Sequence, residues 1–91
     1  MIICRIAYDA EGKDEERKAL FEAHRAHLRS GMIPILQSGP LFSPAGPKRG
    51  ALIVFQVEDI GEVERFNSLD PYIINGIYDD VEILRWDKTI G

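Results

Sequence analysis

The chain has a single cysteine, Cys4. A lone thiol builds no intramolecular disulfide framework and no thiolate cluster for zinc, so neither a stapled secreted scaffold nor a zinc module is expected. Long apolar runs are missing as well. The longest, such as Ala51 to Phe55, fall far short of the roughly 20 residues a membrane-spanning helix needs. Met1 to Ile6 has no basic stretch ahead of a long apolar one. The expectation is a soluble protein of a reducing cytoplasm, without a membrane partner. Nor is there a basic surplus: fifteen acidic residues against eleven basic ones leave a net charge of −4, which argues against nucleic acid as a partner. At 91 residues there is no room for two cores or for a full doubly wound dinucleotide-binding fold, so one domain over 1–91 is expected. Gly46-Pro47-Lys48-Arg49-Gly50 has two basic residues but no strand-to-helix setting, so it is no phosphate cradle.

What is present is a change of period along the chain. Ile2 to Tyr8 alternates and is rich in β-branched side chains, which predicts a strand. From Asp14 to about Ser30, Ala19, Leu20, Ala23, Ala26 and Leu28 recur at three- and four-residue intervals, which predicts a helix. Its first turn carries Asp14, Glu15 and Glu16, its end carries Arg25 and Arg29, and Gly31 stops it. Met32 to Ser38 is expected to form a second strand, placed by Pro34 at a sheet edge or bulge. The proline- and glycine-rich stretch to Gly50 is expected to be a mobile loop walling a cleft. Ala51 to Val57, nearly all apolar, predicts a central strand covered on both faces. Asp59 and Glu62 have capping-box spacing for a second helix with Ile60, Val63 and Phe66 inward. Asp70-Pro71 breaks that helix, Tyr72 to Tyr78 is irregular, and Val81 to Trp86 predicts the last strand.

The order β-α-β-β-α-β is the ferredoxin-like arrangement of an α+β sandwich, an antiparallel sheet with two helices on one face. The uncovered face of so small a sheet calls for a second copy, so a homodimer packed sheet to sheet is expected.

Few residues can carry chemistry. Both histidines, His24 and His27, lie three apart on one face of the first helix, beside its inward stripe. They read either as border histidines with satisfied hydrogen bonds or as a general acid or base. A metal site would need a third ligand that no spacing singles out. Asp70 reads as a helix-breaking residue before Pro71, or as a carboxylate that orients an imidazole. Tyr72 and Tyr78 are packed aromatics or phenolic donors. Ser38-Gly39-Pro40 is a tight strand exit where Gly39 lets backbone come close to a ligand, and Ser38 has no nucleophile-elbow context.

Three segments together resemble the YCII-related (YciI-like) family: Glu22-Ala23-His24-Arg25-Ala26-His27-Leu28, Leu36-Gln37-Ser38-Gly39-Pro40-Leu41, and Asp70-Pro71-Tyr72-Ile73-Ile74-Asn75-Gly76-Ile77-Tyr78. The resemblance implies a ferredoxin-like fold of the dimeric α/β-barrel type, dimerising through its sheet, with a His–Asp pair in a cleft. Two residues compete for the family histidine. His24 follows Ala23 and lies 15 before Gly39; His27-Leu28 looks like the family's His-Leu pair but lies 12 before it. The implied function is a cofactor-independent lyase or isomerase moving a proton on a small, ring-shaped, hydroxylated molecule. His24 would be its base and Asp70 the orienter, with His27, Ser38, Gly39, Pro40 and Tyr72 around the substrate and no metal. The alternative is a non-catalytic ligand-binding or sensing dimer using the same cleft.

Overall fold

A computed structural model describes residues 1–91. Strand β1 (Ile2–Asp9) is followed by helix α1 (Asp14–Leu28), strands β2 (Ile35–Phe42) and β3 (Lys48–Gln56), helix α2 (Ile60–Leu69), a single turn α3 (Pro71–Ile74) and strand β4 (Tyr78–Arg85). All pairings are antiparallel and the sheet order is β2-β3-β1-β4, which makes the fold ferredoxin-like. No helix is long and apolar enough to cross a membrane.

Alternation sorts each central strand into two faces. Ile3, Arg5 and Ala7 of β1 and Ile53 and Phe55 of β3 are buried beneath the helices. Val63 and Phe66 of α2 join Ile3, Ile53 and Phe55 in one core, and Leu28 and Met32 pack against it from the α1 side. The opposite face carries Ile2, Cys4 and Ile6 of β1, Leu52 and Val54 of β3 and Leu84 of β4, and of these only Val54 is buried within the chain itself. Ala19, Ala23 and Ala26 of the expected α1 set, and Ile60 of α2, face solvent; Leu20 and Leu28 do turn inward, and Arg17 and His24 join them there.

The largest departure from expectation lies between Gly39 and Gly50, which is no loop. Gly39 to Phe42 completes β2, Lys48 to Gly50 begins β3, and a short turn joins them, with the Ser43 N–H donating to the Pro47 carbonyl at 3.1 Å. An edge strand tolerates Pro40 because its outer side needs no donor, and β2 is such an edge. Pro34 lies just before the strand, accepting from the Gln56 N–H at 3.1 Å, so β2 begins at Ile35, three residues later than expected. The capping box is present: Asp59 accepts from the Gly61 N–H at 2.9 Å, and Glu62 accepts from the Asp59 N–H at 3.0 Å. Asp70 ends α2 in extended backbone and at once caps α3, whose first residue is Pro71. That double duty fixes where its carboxylate points.

Candidate functional site

Asp70 is fully enclosed and holds three partners. Its Oδ1 accepts from the Tyr72 N–H at 3.0 Å and faces His24 Nδ1 at 2.7 Å, while its Oδ2 accepts from Arg5 Nη1 at 2.8 Å. Arg5 rises from the inward phase of β1, also fully enclosed, and a second bond takes Nη1 to Asn67 Oδ1 at 3.2 Å. Burial pushes the Asp70 carboxyl up, but the His24 hydrogen bond and the Arg5 charge together outweigh it, and the net shift is down from the ordinary aspartate value. An ionised Asp70 can only accept, so Nδ1 of His24 carries the proton and the lone pair of the neutral ring sits on Nε2.

The ring of His24 lies flat on Tyr72, with centroids 3.9 Å apart and planes within 4°. Tyr72 in turn donates its hydroxyl to the Arg17 carbonyl at 3.2 Å, fixing it against α1. Tyr78 packs edge-on to Tyr72 and under the Arg5 guanidinium. Burial raises the phenol of Tyr78, against the pull of Arg5, so it stays neutral and protonated. The imidazole is therefore held on one edge by a carboxylate and on one face by a phenol ring.

Beside it opens a cavity of about 780 Å³ between α1 and the β2–β3 half of the sheet. His24, Tyr72, Ser38, Gly39 and Pro40 all contribute to its wall. His27 does not: its Nε2 donates to the Phe66 carbonyl at 2.8 Å and its ring stacks on Phe66, which ties α1 to α2. Arg5 is the residue that sequence reasoning passed over. Its signal was available, a charged side chain in the phase of β1 otherwise held by Ile3 and Ala7. No three His, Cys, Asp or Glu side chains converge as a metal-holding group.

The depressed Asp70 value has a consequence for acid stability. Where the folded value lies below the unfolded one, of about 3.9, the unfolded chain binds more protons and stability rises with pH. The contribution of Asp70 is thus fully present above about pH 3.9 and is lost as pH falls through the folded value. Urea midpoints measured from pH 6 down to pH 2 are expected to fall over that acid window, and to fall less in Asp70→Asn. Equal slopes in the two proteins would show that Asp70 is not responsible.

The YCII-related domain matches residues 1–87. The chain belongs to the YCII-related family. Among solved structures, the 5-chloro-2-hydroxyhydroquinone dehydrochlorinase of Burkholderia phenoliruptrix, in complex with 2,5-dihydroxybenzoquinone, superposes with a TM-score of 0.84 at 23% identity, over 96% of this chain and 94% of its own. SnoaB, a cofactor-independent oxygenase of Streptomyces nogalater, superposes with a TM-score of 0.55 at 12% identity, over 98% and 93%. An uncharacterised NIPSNAP domain protein of Burkholderia xenovorans gives 0.54 at 14%, over 100% and 99%. No curated protein sequence matches the chain. At these identities the similarity shows the shared fold alone.

Proposed function

We propose that this YCII-related protein, acting as one domain over 1–91 in a reducing cytoplasm, is a cofactor-independent lyase or isomerase for a small hydroxylated ring. The observation that carries the reading is the buried 2.7 Å His24–Asp70 contact, which leaves Nε2 without a protein partner on the cavity side. In the reaction Nε2 takes a proton from the substrate, and Asp70 stabilises the imidazolium that forms. In an elimination, the electron pair released expels an anionic leaving group and the imidazolium passes its proton to water. In an isomerisation, the imidazolium returns the proton to a different carbon of the ring. Ser38, Gly39, Pro40 and Tyr72 line the space the substrate would fill, and His27 anchors α1 to α2. The dehydrochlorinase with its dihydroxybenzoquinone gives this reading a first substrate set.

The test is a panel of chlorinated and hydroxylated hydroquinones, followed for chloride release and for exchange of ring hydrogens with deuterated water. Turnover that His24→Ala lowers by about 10²–10⁴-fold supports the proposal. Saturable binding without turnover by any member of the panel would identify a ligand-binding or sensing protein instead.

The uncovered sheet face, with Ile2, Cys4, Ile6, Leu52 and Leu84, fits a second copy of the chain packed sheet to sheet. Light scattering at micromolar concentration is expected to give twice the 10.3 kDa chain mass, with an unfolding midpoint that rises with concentration. A monomer with dilution-independent unfolding rules the dimer out.

A further inference from the structure

The cavity beside His24 has a charge pattern opposite to that of the chain. The protein carries a net −4, yet Arg5, Arg17, Lys18, Arg25, Arg29 and Lys48 contribute to the cavity wall and no Asp or Glu does. Half of these cations are matched by carboxylates lying outside the wall: Asp70 for Arg5, Asp9 and Asp14 for Arg17, and Asp9 again for Lys48. Lys18, Arg25 and Arg29 form no ion pair. Lys18 and Arg25 lie on α1 and Arg29 caps its C-terminal end, with Phe21 and Leu28 between them on the same wall. A row of unpaired cations over a cleft with low-dielectric walls raises the local concentration of anions.

A second observation is independent of that row. Arg5 is fully enclosed, yet its Nε and Nη2 have no hydrogen-bond partner. Buried donors of a charged group are rarely left unmet, because each has given up its water without a replacement partner. Arg5 belongs to the cavity wall, so a small turn of its guanidinium on ligand entry would bring these now enclosed donors to an oxygen of the bound molecule. Ile35, Ala51 and Ile53 supply an apolar surface on the sheet side.

We propose that this cavity takes a small organic anion, an apolar ring bearing a negatively charged oxygen, drawn in by the α1 cations and held by Arg5. The proposal rests on the cavity being the substrate site and names the class of that substrate. Benzoate and its neutral isostere benzamide separate charge from shape. Titrated into the isotopically labelled protein at low salt, benzoate is expected to shift the amides of Ser38, Gly39, Ala51 and Ile53 and to bind about tenfold tighter than benzamide. High salt is expected to shrink that preference. Arg25→Glu is expected to weaken benzoate severalfold and leave benzamide unchanged, and Lys18→Glu, also at an exposed position, repeats the test should the first variant fold poorly. Equal affinities, a benzoate response elsewhere, or no response overturns the proposal. Since binding is measured without turnover, a benzoate preference in a protein that catalyses nothing removes the enzyme reading alone. Turnover of neutral rings with no benzoate preference removes the anion site alone.

Discussion

Asp70→Asn is expected to destabilise the protein by about 3–5 kcal/mol, a large part of the roughly 5–15 kcal/mol that holds a domain of ordinary size together. The size comes from what the substitution leaves behind. Arg5 stays fully enclosed, but its ionic partner at 2.8 Å becomes a neutral amide. A guanidinium does not escape by losing its proton, so the charge remains in the interior without compensation. At fixed protein concentration the urea midpoint is expected to drop by more than about 1 M, given slopes of about 1–3 kcal/mol/M. Replacing both partners, Arg5→Met with Asp70→Asn, is expected to recover most of that loss, since no charge is then stranded. A single variant that unfolds within about 0.5 kcal/mol of the wild type would mean that the pair does not hold the fold.

The same pair shows what sequence alone conveys and what it hides. The element order was legible because α1 and β1 have different periods, and the Asp59–Glu62 capping box marked the start of α2 to the residue. The hairpin of β2 and β3 was not legible. Pro40, Gly39 and Gly50 signal a loop by composition, and only membership of an edge strand, a tertiary fact, reconciles them with a ladder. The four-residue α3 is shorter than the period needed to recognise a helix. At the site, His24 and Asp70 stood out as residue types, but their separation of 46 positions meant that only the packed helices could set them face to face. Arg5 was obscured by its neighbours: among Ile2, Ile3, Cys4 and Ile6 it looks like an exposed interruption of a strand, whereas the structure buries it as the counter-charge that keeps Asp70 ionised.

His24→Ala is expected to lower kcat/KM by about 10²–10⁴-fold on whichever substrate the enzyme turns over, the usual range for a positioned acid or base. Its stability should fall far less than in Asp70→Asn, because Asp70 keeps both its Arg5 contact and its Tyr72 N–H bond. The truncation also leaves an imidazole-sized space on the cavity wall, between the Asp70 carboxylate and the face of Tyr72. Imidazole added to the assay is therefore expected to restore part of the rate in His24→Ala and to do nothing for the wild type, an effect that a purely structural histidine would not produce. The wild-type profile carries a matching sign. Nε2 must be unprotonated to accept a proton, so kcat/KM should decline on the acid side, and that decline should be absent from the residual activity of the variant. His27→Ala separates the two histidines. With Nε2 of His27 bound to the Phe66 carbonyl and its ring stacked on Phe66, its loss is expected to cost about 1–3 kcal/mol of stability with little change in rate. A larger rate loss in His27→Ala than in His24→Ala would move the base one turn along α1 and end the assignment of His24.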